Sequence, residues 1–302
     1  MSFDDTGHEL QSAQEIQEIA SGFREARILL SAIDLGIFTA LADSKHTSTR
    51  VAEKIGTDPK ATDRLMNSLC VLGLLAKHGE EFKNTPASST YLREDSDRYM
   101  AGLAHTSHTY HSWGTLTGAV RNGGRVHETT PMDDPEWTEA FIAAMHNRAR
   151  GRAEELAGLA DLSGAKKLLD VGGGSGVFSM AFCRAKPDLN AVVFDLPSVT
   201  PLTRKYIEAA GFSQKISTVN GDYRRDEFGR GFDIVLFSAI MHINSPEMNR
   251  GILNKASAAL NPGGQILISD FFVEPGRCSP SNAIIFAINM LVNTDAGDTY
   301  TI

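Results

Sequence analysis

The chain has 302 residues, which is long enough for two domains of ordinary size. Hydrophobic residues make up 42% and charged residues 22%, a composition typical of folded globular proteins, so disordered and fibrous classes are excluded. The net charge of −8 gives no electrostatic reason to expect nucleic acid or an anionic membrane as a partner. Three widely spaced cysteines form no disulfide framework, and we expect neither a signal segment nor a membrane span. These features predict a cytoplasmic protein that acts on small molecules.

The first part of the chain is predicted to be mostly helical. From Ile16 to Ile33, apolar residues recur in steps of three and four, the stripe of a helix that buries one face against another helix. Two further helices and two short strands are predicted over 48–56, 60–72, 74–77 and 81–83. Two helices followed by a small hairpin are typical of a winged helix-turn-helix.

A winged helix often binds DNA, but the second helix of this unit has few side chains for reading bases. It carries Lys60, Arg64 and Asn67, against the acidic Asp63. The apolar positions between 69 and 75 fit a subunit contact better. We therefore expect residues 1–110 to form a winged-helix dimerisation domain of a homodimer, without nucleic acid, and residues 111–165 to form a helical connector that walls a pocket.

Residues 166–302 show a repeated order of strand, turn and helix. Apolar runs occupy 167–171, 191–196, 216–219, 233–237 and 265–269. Helical segments over 177–184, 201–210 and 246–260 lie between most of them. Buried parallel strands joined by helical crossovers predict an α/β fold with a doubly wound sheet, whose ligands bind at the carboxyl ends of the strands.

The strand ends carry the residues with the clearest chemistry. The first strand runs into D-V-G-G-G-S-G over 170–176 and then a helix, so a ligand could approach the backbone at the start of that helix. A dinucleotide fingerprint would need glycine where Val177 stands, which disfavours nicotinamide cofactors. Asp195 ends the second strand, where an acid can accept hydrogen bonds from ribose hydroxyls. Asp222 and Tyr223 follow the third strand, where an adenine amino group would lie.

Five segments together resemble the second family of S-adenosylmethionine-dependent O-methyltransferases, which includes plant caffeate- and hydroxyindole-type enzymes and bacterial relatives. They are L-L-D-V-G-G-G-S-G, F-D-L-P, G-D-Y, D-I-V-L-F-S-A-I-M-H and N-P-G-G-Q-I-L-I-S-D. The resemblance implies a class I Rossmann-like fold behind a winged-helix dimerisation domain. It also implies methyl transfer from S-adenosylmethionine to a hydroxyl of a small aromatic or cyclic molecule, with S-adenosylhomocysteine as product. A nitrogen or sulfur acceptor, another reaction on the same fold, and a cofactor-sensing DNA-binding regulator remain alternatives.

The resemblance also implies roles for individual residues. The cofactor would contact Asp170, Gly172, Gly174, Asp195, Leu196, Asp222, Tyr223 and Ser238. His242 would be the general base, and Asp270 would orient its imidazole. Candidates for the acceptor pocket are Trp113, Phe141, Met145, Phe286 and Met290. No metal is expected, because three histidines at 105, 108 and 111 drift around a helix by roughly 60° per step and cannot converge without a bend.

Three departures from the plant pattern concern the surroundings of the base. Ile243 and Asn244 replace the acid-aromatic pair that often follows the histidine, and Ser238 replaces a lysine. An ungapped register places Thr299 where a second orienting glutamate stands, with Asp298 next to it as a possible substitute.

The end of the chain carries a further expectation from the resemblance. Relatives continue beyond the point that matches Ile302 with a helix and an antiparallel hairpin that extends the sheet. We therefore expect this chain to be shorter than the working enzyme. The strand over 265–272 would then be an edge with unpaired backbone groups.

Overall fold

The structure, a computed structural model, describes residues 10–126 and 134–302. Their contacts divide the chain into two units between His108 and Thr109. The segment predicted as a connector, 111–165, has its contacts within the second unit, and its residues 127–133 lie outside the described part. Each unit is described separately below.

The first unit contains six helices and a small sheet among its described residues. The helices are α1 (Ala13–Ser21), α2 (Phe23–Asp34), α3 (Ile37–Leu41), α4 (Ser48–Ile55), α5 (Pro59–Val71) and α6 (Pro86–Tyr91). The antiparallel strands are β1 (His46–Thr47), β2 (Leu75–His78) and β3 (Glu81–Asn84), in the order β1-β3-β2. Asp58 caps α5 by accepting a hydrogen bond from the Ala61 backbone N–H, as its position before a proline predicts. Helices α4 and α5 with this sheet form the predicted winged helix.

The predicted stripe from 16 to 33 is two helices rather than one. The break is at Gly22, whose backbone N–H bonds to the carbonyl three residues back, and glycine is a poor helix former. The second helix buries Leu30 and Ile33 in the core of the unit. The first helix and the start of the second leave apolar side chains more than half exposed: Ile16 at 58%, Ile19 at 68% and Phe23 at 55%.

A compact core holds the first unit together. Phe38, Met66, Leu69 and Phe82 are each at most 1% exposed and pack in one cluster. Burial of side chains of this size contributes roughly 1.5–3 kcal/mol each. Asn84 ties the sheet to α3, because its side-chain amide donates to the Phe38 carbonyl at 2.9 Å.

The second unit is built on a five-stranded parallel sheet, which confirms the predicted doubly wound α/β fold. Its strands are β4 (Lys167–Val171), β5 (Asn190–Asp195), β6 (Ile216–Asn220), β7 (Phe232–Ser238) and β8 (Leu260–Ser269). The order is β6-β5-β4-β7-β8, so the chain first moves outward from β4 in one direction and then returns to its other side. This reversal beside β4 is the place where open α/β sheets bind ligands.

Helices cover both faces of this sheet. Helix α7 (Gly102–Trp113) spans the division between the units, and the other helices are α8 (Leu116–Asn122), α9 (Pro135–Leu159), α10 (Val177–Ala185), α11 (Thr200–Ala209), α12 (Pro246–Ala259) and α13 (Ser281–Asn293). Leu168 and Leu236 belong to the core on the α9 and α10 face, and Leu169 and Phe237 to the core on the α12 face. This alternation is what a strand buried on both sides requires.

Among the described residues, strand β8 lies at one edge of the sheet. Beyond β8 the chain is not left wholly unpaired, because Phe272 forms a bridge with Tyr300 and the Val273 N–H donates to the Tyr300 carbonyl at 3.0 Å. Across the described ranges, no helix combines the length and the apolar character needed to cross a membrane.

Candidate active site

A glycine turn joins β4 to α10 at the carboxyl edge of the sheet. Gly172, Gly174 and Gly176 have φ values of +65°, +55° and +74°, in the left-handed region that side chains disfavour. At Gly173, a Cβ atom would lie only 2.7 Å from the Asp170 carboxyl carbon. The turn therefore needs glycines, and it lies at the start of α10, where a ligand could approach the helix N-terminus.

Asp170 lies buried behind this turn. One carboxyl oxygen accepts a hydrogen bond from the Ser179 hydroxyl at 2.8 Å. The other, Oδ1, is buried and has no hydrogen-bond partner among the described residues. Burial raises the pKa of Asp170 to about 6, although the hydrogen bond from Ser179 opposes the shift. The site thus holds a buried acceptor with unused capacity.

Asp195 ends β5 and holds the glycine turn. Its Oδ2 accepts from the Gly174 backbone N–H at 2.8 Å, and its Oδ1 accepts from the Leu196 N–H at 2.7 Å. Burial raises the pKa of Asp195 to about 6, and the two N–H donors oppose this shift. Each carboxylate oxygen can accept a second hydrogen bond, so Asp195 could hold the turn and a hydroxyl-bearing ligand together.

The loop after β6 contains an ion pair that sequence reasoning missed. Arg224 donates from Nε and Nη2 to the two oxygens of Asp222, each at 2.9 Å. This hydrogen bonding holds the pKa of Asp222 below its usual value. Tyr223 is half-buried, and its hydroxyl donates to the Asn244 side-chain oxygen at 3.4 Å. Asp222 therefore already has a cationic partner in the protein.

His242 and Asp270 meet at the ends of the neighbouring strands β7 and β8. His242 Nδ1 lies 2.5 Å from Asp270 Oδ1, and the two side chains are only 8% and 3% exposed. The same carboxylate accepts from the backbone N–H groups of Met241 at 2.9 Å and Phe271 at 2.7 Å. Burial alone would raise the pKa of Asp270, but the hydrogen bonds from His242 and from the backbone together hold it below its usual value. Because an ionised carboxylate only accepts, the proton of a neutral imidazole lies on Nδ1 and leaves a lone pair on Nε2.

Two family profiles match the chain: an O-methyltransferase dimerisation domain over residues 17–94 and an O-methyltransferase domain over 113–300. The chain belongs to this O-methyltransferase family. The methyltransferase is 32% identical over 296 residues to 3-hydroxy-5-methyl-1-naphthoate 3-O-methyltransferase of Streptomyces sahachiroi, covering 95% of this chain and 85% of the relative. It is 28% identical to the N,N-dimethyltransferase OxyT of Streptomyces rimosus, covering 95% and 86%.

A solved structure agrees in fold and in cofactor. Human N-acetylserotonin methyltransferase in complex with S-adenosylmethionine matches the methyltransferase with a TM-score of 0.81 and 25% identity, over 98% of this chain and 90% of that one. The enzyme class is that of S-adenosylmethionine-dependent O-methyltransferases, as the motifs predicted. The N-terminal unit carries the family's dimerisation domain.

Two phenylalanine rings contact the imidazole of His242. Phe286 of α13 packs edge-on against His242 with ring centroids 4.8 Å apart. Phe271 stacks on Phe286 at 3.9 Å, and sequence reasoning missed it although it directly follows Asp270. Trp113 Nε1 donates to Asn289 of the same helix α13 at 2.9 Å.

The other residues predicted to line the acceptor pocket or to contact the cofactor lie on three different elements. Met290 is 5% exposed within α13. Phe141 and Met145 are half-buried on α9, the helix that also places Ile142 against the glycine turn. Ser238 is half-buried at the last position of β7, paired in register with Ser269 of β8.

The segment after α13 contacts His242 through its backbone. The Asp298 N–H donates to the His242 carbonyl at 3.0 Å. Its carboxylate does not serve as a second acid for the imidazole, because it pairs with Arg277 at 2.7 and 2.9 Å. Thr299 is fully buried, and its hydroxyl has no hydrogen-bond partner in the described ranges.

His146 is a second histidine at the site that sequence reasoning missed. Its Nδ1 lies 2.9 Å from the hydroxyl of Ser175 in the glycine turn, and its ring stacks on Tyr206 with centroids 4.4 Å apart. Burial lowers the pKa of His146, and the charge of Arg150 adds to this effect. Its position directly after Met145 was the only signal, since the periodicity of α9 does not distinguish a site residue from a core residue.

Within the described ranges, no group of three or more His, Cys, Asp or Glu residues is arranged to hold a metal ion.

Proposed function

We propose that this enzyme methylates a hydroxyl group of a small aromatic acceptor, with His242 as the general base. The observation that supports this most directly is the buried pair of His242 and Asp270. The carboxylate holds the Nδ1 proton, so Nε2 of the neutral imidazole is free to take the proton of a hydroxyl group.

The free-energy cost of proton transfer decides what His242 and Asp270 must contribute. Moving a proton from a phenol to an ordinary imidazole is uphill by roughly 4–5 kcal/mol. Asp270 lowers that cost because its negative charge lies 2.5 Å from the imidazole and stabilises the imidazolium that forms. The backbone donors of Met241 and Phe271 hold the carboxylate in place while this happens.

The residues around the glycine turn fit the family cofactor. S-adenosylmethionine supplies the methyl group when it is bound. We propose that Asp195 and Leu196 hold its ribose and that Asp222 and Tyr223 lie beside its adenine. Ser238 would also contact the cofactor. This assignment is supported by the free acceptor sites of Asp195. It is supported independently by the turn itself, whose glycine backbone at Gly172 and Gly174 permits close approach.

The buried acid behind the turn also fits this assignment. Asp170 Oδ1 has no partner among the described residues, although a buried carboxylate oxygen normally has one. A polar group of the cofactor, directly or through water, would satisfy it. Replacing Asp170 would therefore affect cofactor binding as well as stability.

An aromatic acceptor is favoured by the rings beside the base. Phe286 and Phe271 form a stacked pair, and the edge-on contact of Phe286 with His242 places apolar ring surface beside the imidazole. Trp113, Phe141, Met145 and Met290 would complete the pocket. The relative from Streptomyces sahachiroi is named for methylating a hydroxynaphthoate, which is an aromatic hydroxyl compound of this kind.

A nitrogen acceptor is the second candidate, because OxyT is named as an N,N-dimethyltransferase. A panel of matched phenols and anilines, incubated with the purified chain and methyl-labelled S-adenosylmethionine, separates the two. We expect label on the phenols and none on the anilines. Label on the anilines alone would refute the proposed hydroxyl specificity.

We also propose that the enzyme is a homodimer through the exposed apolar side chains of α1 and of the start of α2. Ile16, Ile19 and Phe23 are more than half exposed in a unit that the dimerisation profile covers from residue 17. Ile19→Glu should shift the mass in analytical ultracentrifugation toward the monomer. The matched control is Leu159→Glu, at an apolar position of the other unit that is 77% exposed. An unchanged dimer for Ile19→Glu would place the interface elsewhere.

The alternative of a DNA-binding regulator has little support in the first unit. On α5, the Asn67 amide donates to the Asp63 side chain at 2.9 Å, and Lys77 donates to the Asn67 oxygen. These polar groups already hydrogen-bond to one another.

The three cysteines, Cys70, Cys183 and Cys278, are free thiols, which fits the proposed location in a reducing cytoplasm.

A further inference from the structure

A cation lies beside the base, on a helix that has no part in the acid-base pair. Arg152 of α9 donates from Nη2 to the Ser269 hydroxyl at 3.4 Å. Its guanidinium carbon lies 5.5 Å from the centroid of the Phe271 ring. Ser269 and Phe271 are the two neighbours of Asp270 in the sequence, so these contacts place the guanidinium near the end of β8.

The charge of Arg152 is not used within the described residues. No carboxylate there lies within ion-pair distance of its guanidinium, and the side chain is exposed. Other arginines near the carboxyl edge differ, because Arg224 pairs with Asp222 and Arg277 pairs with Asp298. Arg152 therefore presents exposed N–H donors that have no carboxylate partner among the described residues.

We propose that Arg152 binds a carboxylate in the active site. A guanidinium offers paired N–H groups in one plane, which match the two oxygens of a carboxylate. The Phe271 ring below it and the stacked Phe286 would hold the ring of an acceptor whose hydroxyl reaches His242. The carboxylate comes either from an aromatic hydroxy acid as acceptor, which rests on the proposed function, or from the amino-acid end of S-adenosylmethionine.

Binding measurements on the full chain distinguish the two sources. The variants are Arg152→Met, which removes the charge and keeps an apolar stem, and Arg152→Lys, which keeps the charge without the paired donors. Arg148→Met is the matched control, because Arg148 is exposed on the same helix. The probes for calorimetry are S-adenosylhomocysteine and its decarboxylated analogue. A hydroxynaphthoate and the corresponding naphthol are then titrated into enzyme saturated with S-adenosylhomocysteine.

If the acceptor supplies the carboxylate, Arg152→Met weakens binding of the hydroxynaphthoate by roughly 10- to 100-fold, the loss expected for a charged hydrogen bond, and leaves the naphthol unchanged. If the cofactor supplies it, the same loss appears for S-adenosylhomocysteine and not for its decarboxylated analogue. In either case Arg152→Lys recovers part of the affinity and Arg148→Met has no effect.

The proposal is overturned if Arg152→Met binds all four probes as Arg148→Met does. This outcome is distinct from failure of the proposed function, because binding is measured without turnover. An enzyme that binds hydroxynaphthoate through Arg152 but methylates no phenol would refute the proposed reaction and leave the carboxylate site standing.

Discussion

The substitution Asp270→Asn would remove the negative charge beside the proposed base, His242. Both oxygens of Asp270 accept hydrogen bonds, one from His242 Nδ1 and the Phe271 N–H, the other from the Met241 N–H. An amide has one accepting oxygen, so Asp270→Asn must turn its NH₂ group toward one of these donors. If NH₂ faces the imidazole, Nδ1 becomes the acceptor and Nε2 carries the proton, which removes the base. If it faces Met241, the turn that carries His242 loses its anchor.

The size of the effect follows from the bond that is lost. A buried hydrogen bond to a charged group contributes about 1.5–3 kcal/mol, so Asp270→Asn should slow methyl transfer to a phenol by roughly 10- to 150-fold at neutral pH. His242→Ala should cost more, roughly 10²- to 10⁴-fold, because it removes the proposed base itself. Affinity for S-adenosylhomocysteine should barely change in either variant.

The assay is the rate at saturating cofactor and acceptor, measured from pH 6.5 to 9.5. As pH approaches the pKa of a phenol, about 10, more acceptor is already ionised, so the deficits of both variants should shrink. Asp188→Asn is the matched control, because it makes the same change from carboxylate to amide at an exposed residue that pairs with Lys166. Full activity of Asp270→Asn on a phenol at pH 7, or a deficit that stays constant up to pH 9.5, would refute the base mechanism.

Two further predictions concern the cofactor. Because burial raises the pKa of Asp195 to about 6, and a protonated carboxyl accepts poorly, S-adenosylhomocysteine should bind about tenfold more weakly at pH 5 than at pH 8. In calorimetry Asp195→Asn should reduce this dependence without abolishing it, because burial also raises the pKa of Asp170 to about 6. The same slope in wild type and variant would count against a ribose contact. His146→Phe, which keeps a ring against Tyr206, and Ser175→Ala should each weaken binding by about 0.5–1.5 kcal/mol. The double variant should cost no more than either alone, whereas additive losses would mean that the two side chains act separately.

The fold and the positions of several candidate site residues could be predicted because their signals are local. The positive φ values of Gly172, Gly174 and Gly176 require glycine wherever this turn occurs, so the spacing is visible without a structure. Asp195, His242 and Asp270 stand at strand ends, and parallel strands bring their carboxyl ends to one edge. The same logic correctly predicted the doubly wound sheet from its alternating strands and helices.

Other contacts depended on where distant elements meet. Arg152 and Ser269 are 117 positions apart, and Phe286 meets His242 only because α13 returns to the end of β7. The carboxylate of Asp298 is taken by Arg277, which no count of positions from the base reveals. The stripe from 16 to 33 was periodic enough to predict one helix, but periodicity does not detect a break at Gly22.

The sequence by itself therefore determined the parallel sheet, the glycine turn and the acids at the strand ends, because backbone conformation and strand direction follow from neighbouring residues. Only the tertiary structure showed which other side chains lie close to them: His146 beside the turn, and Phe271 stacked on Phe286, with Arg152 over the Phe271 ring. Phe286 was a candidate from the sequence, but its contact with His242 was not predicted. Helices α9 and α13 each carry buried apolar residues as well as candidate site residues. Which of their residues face the ligand depends on how each helix packs against the sheet, and that packing is a property of the whole unit.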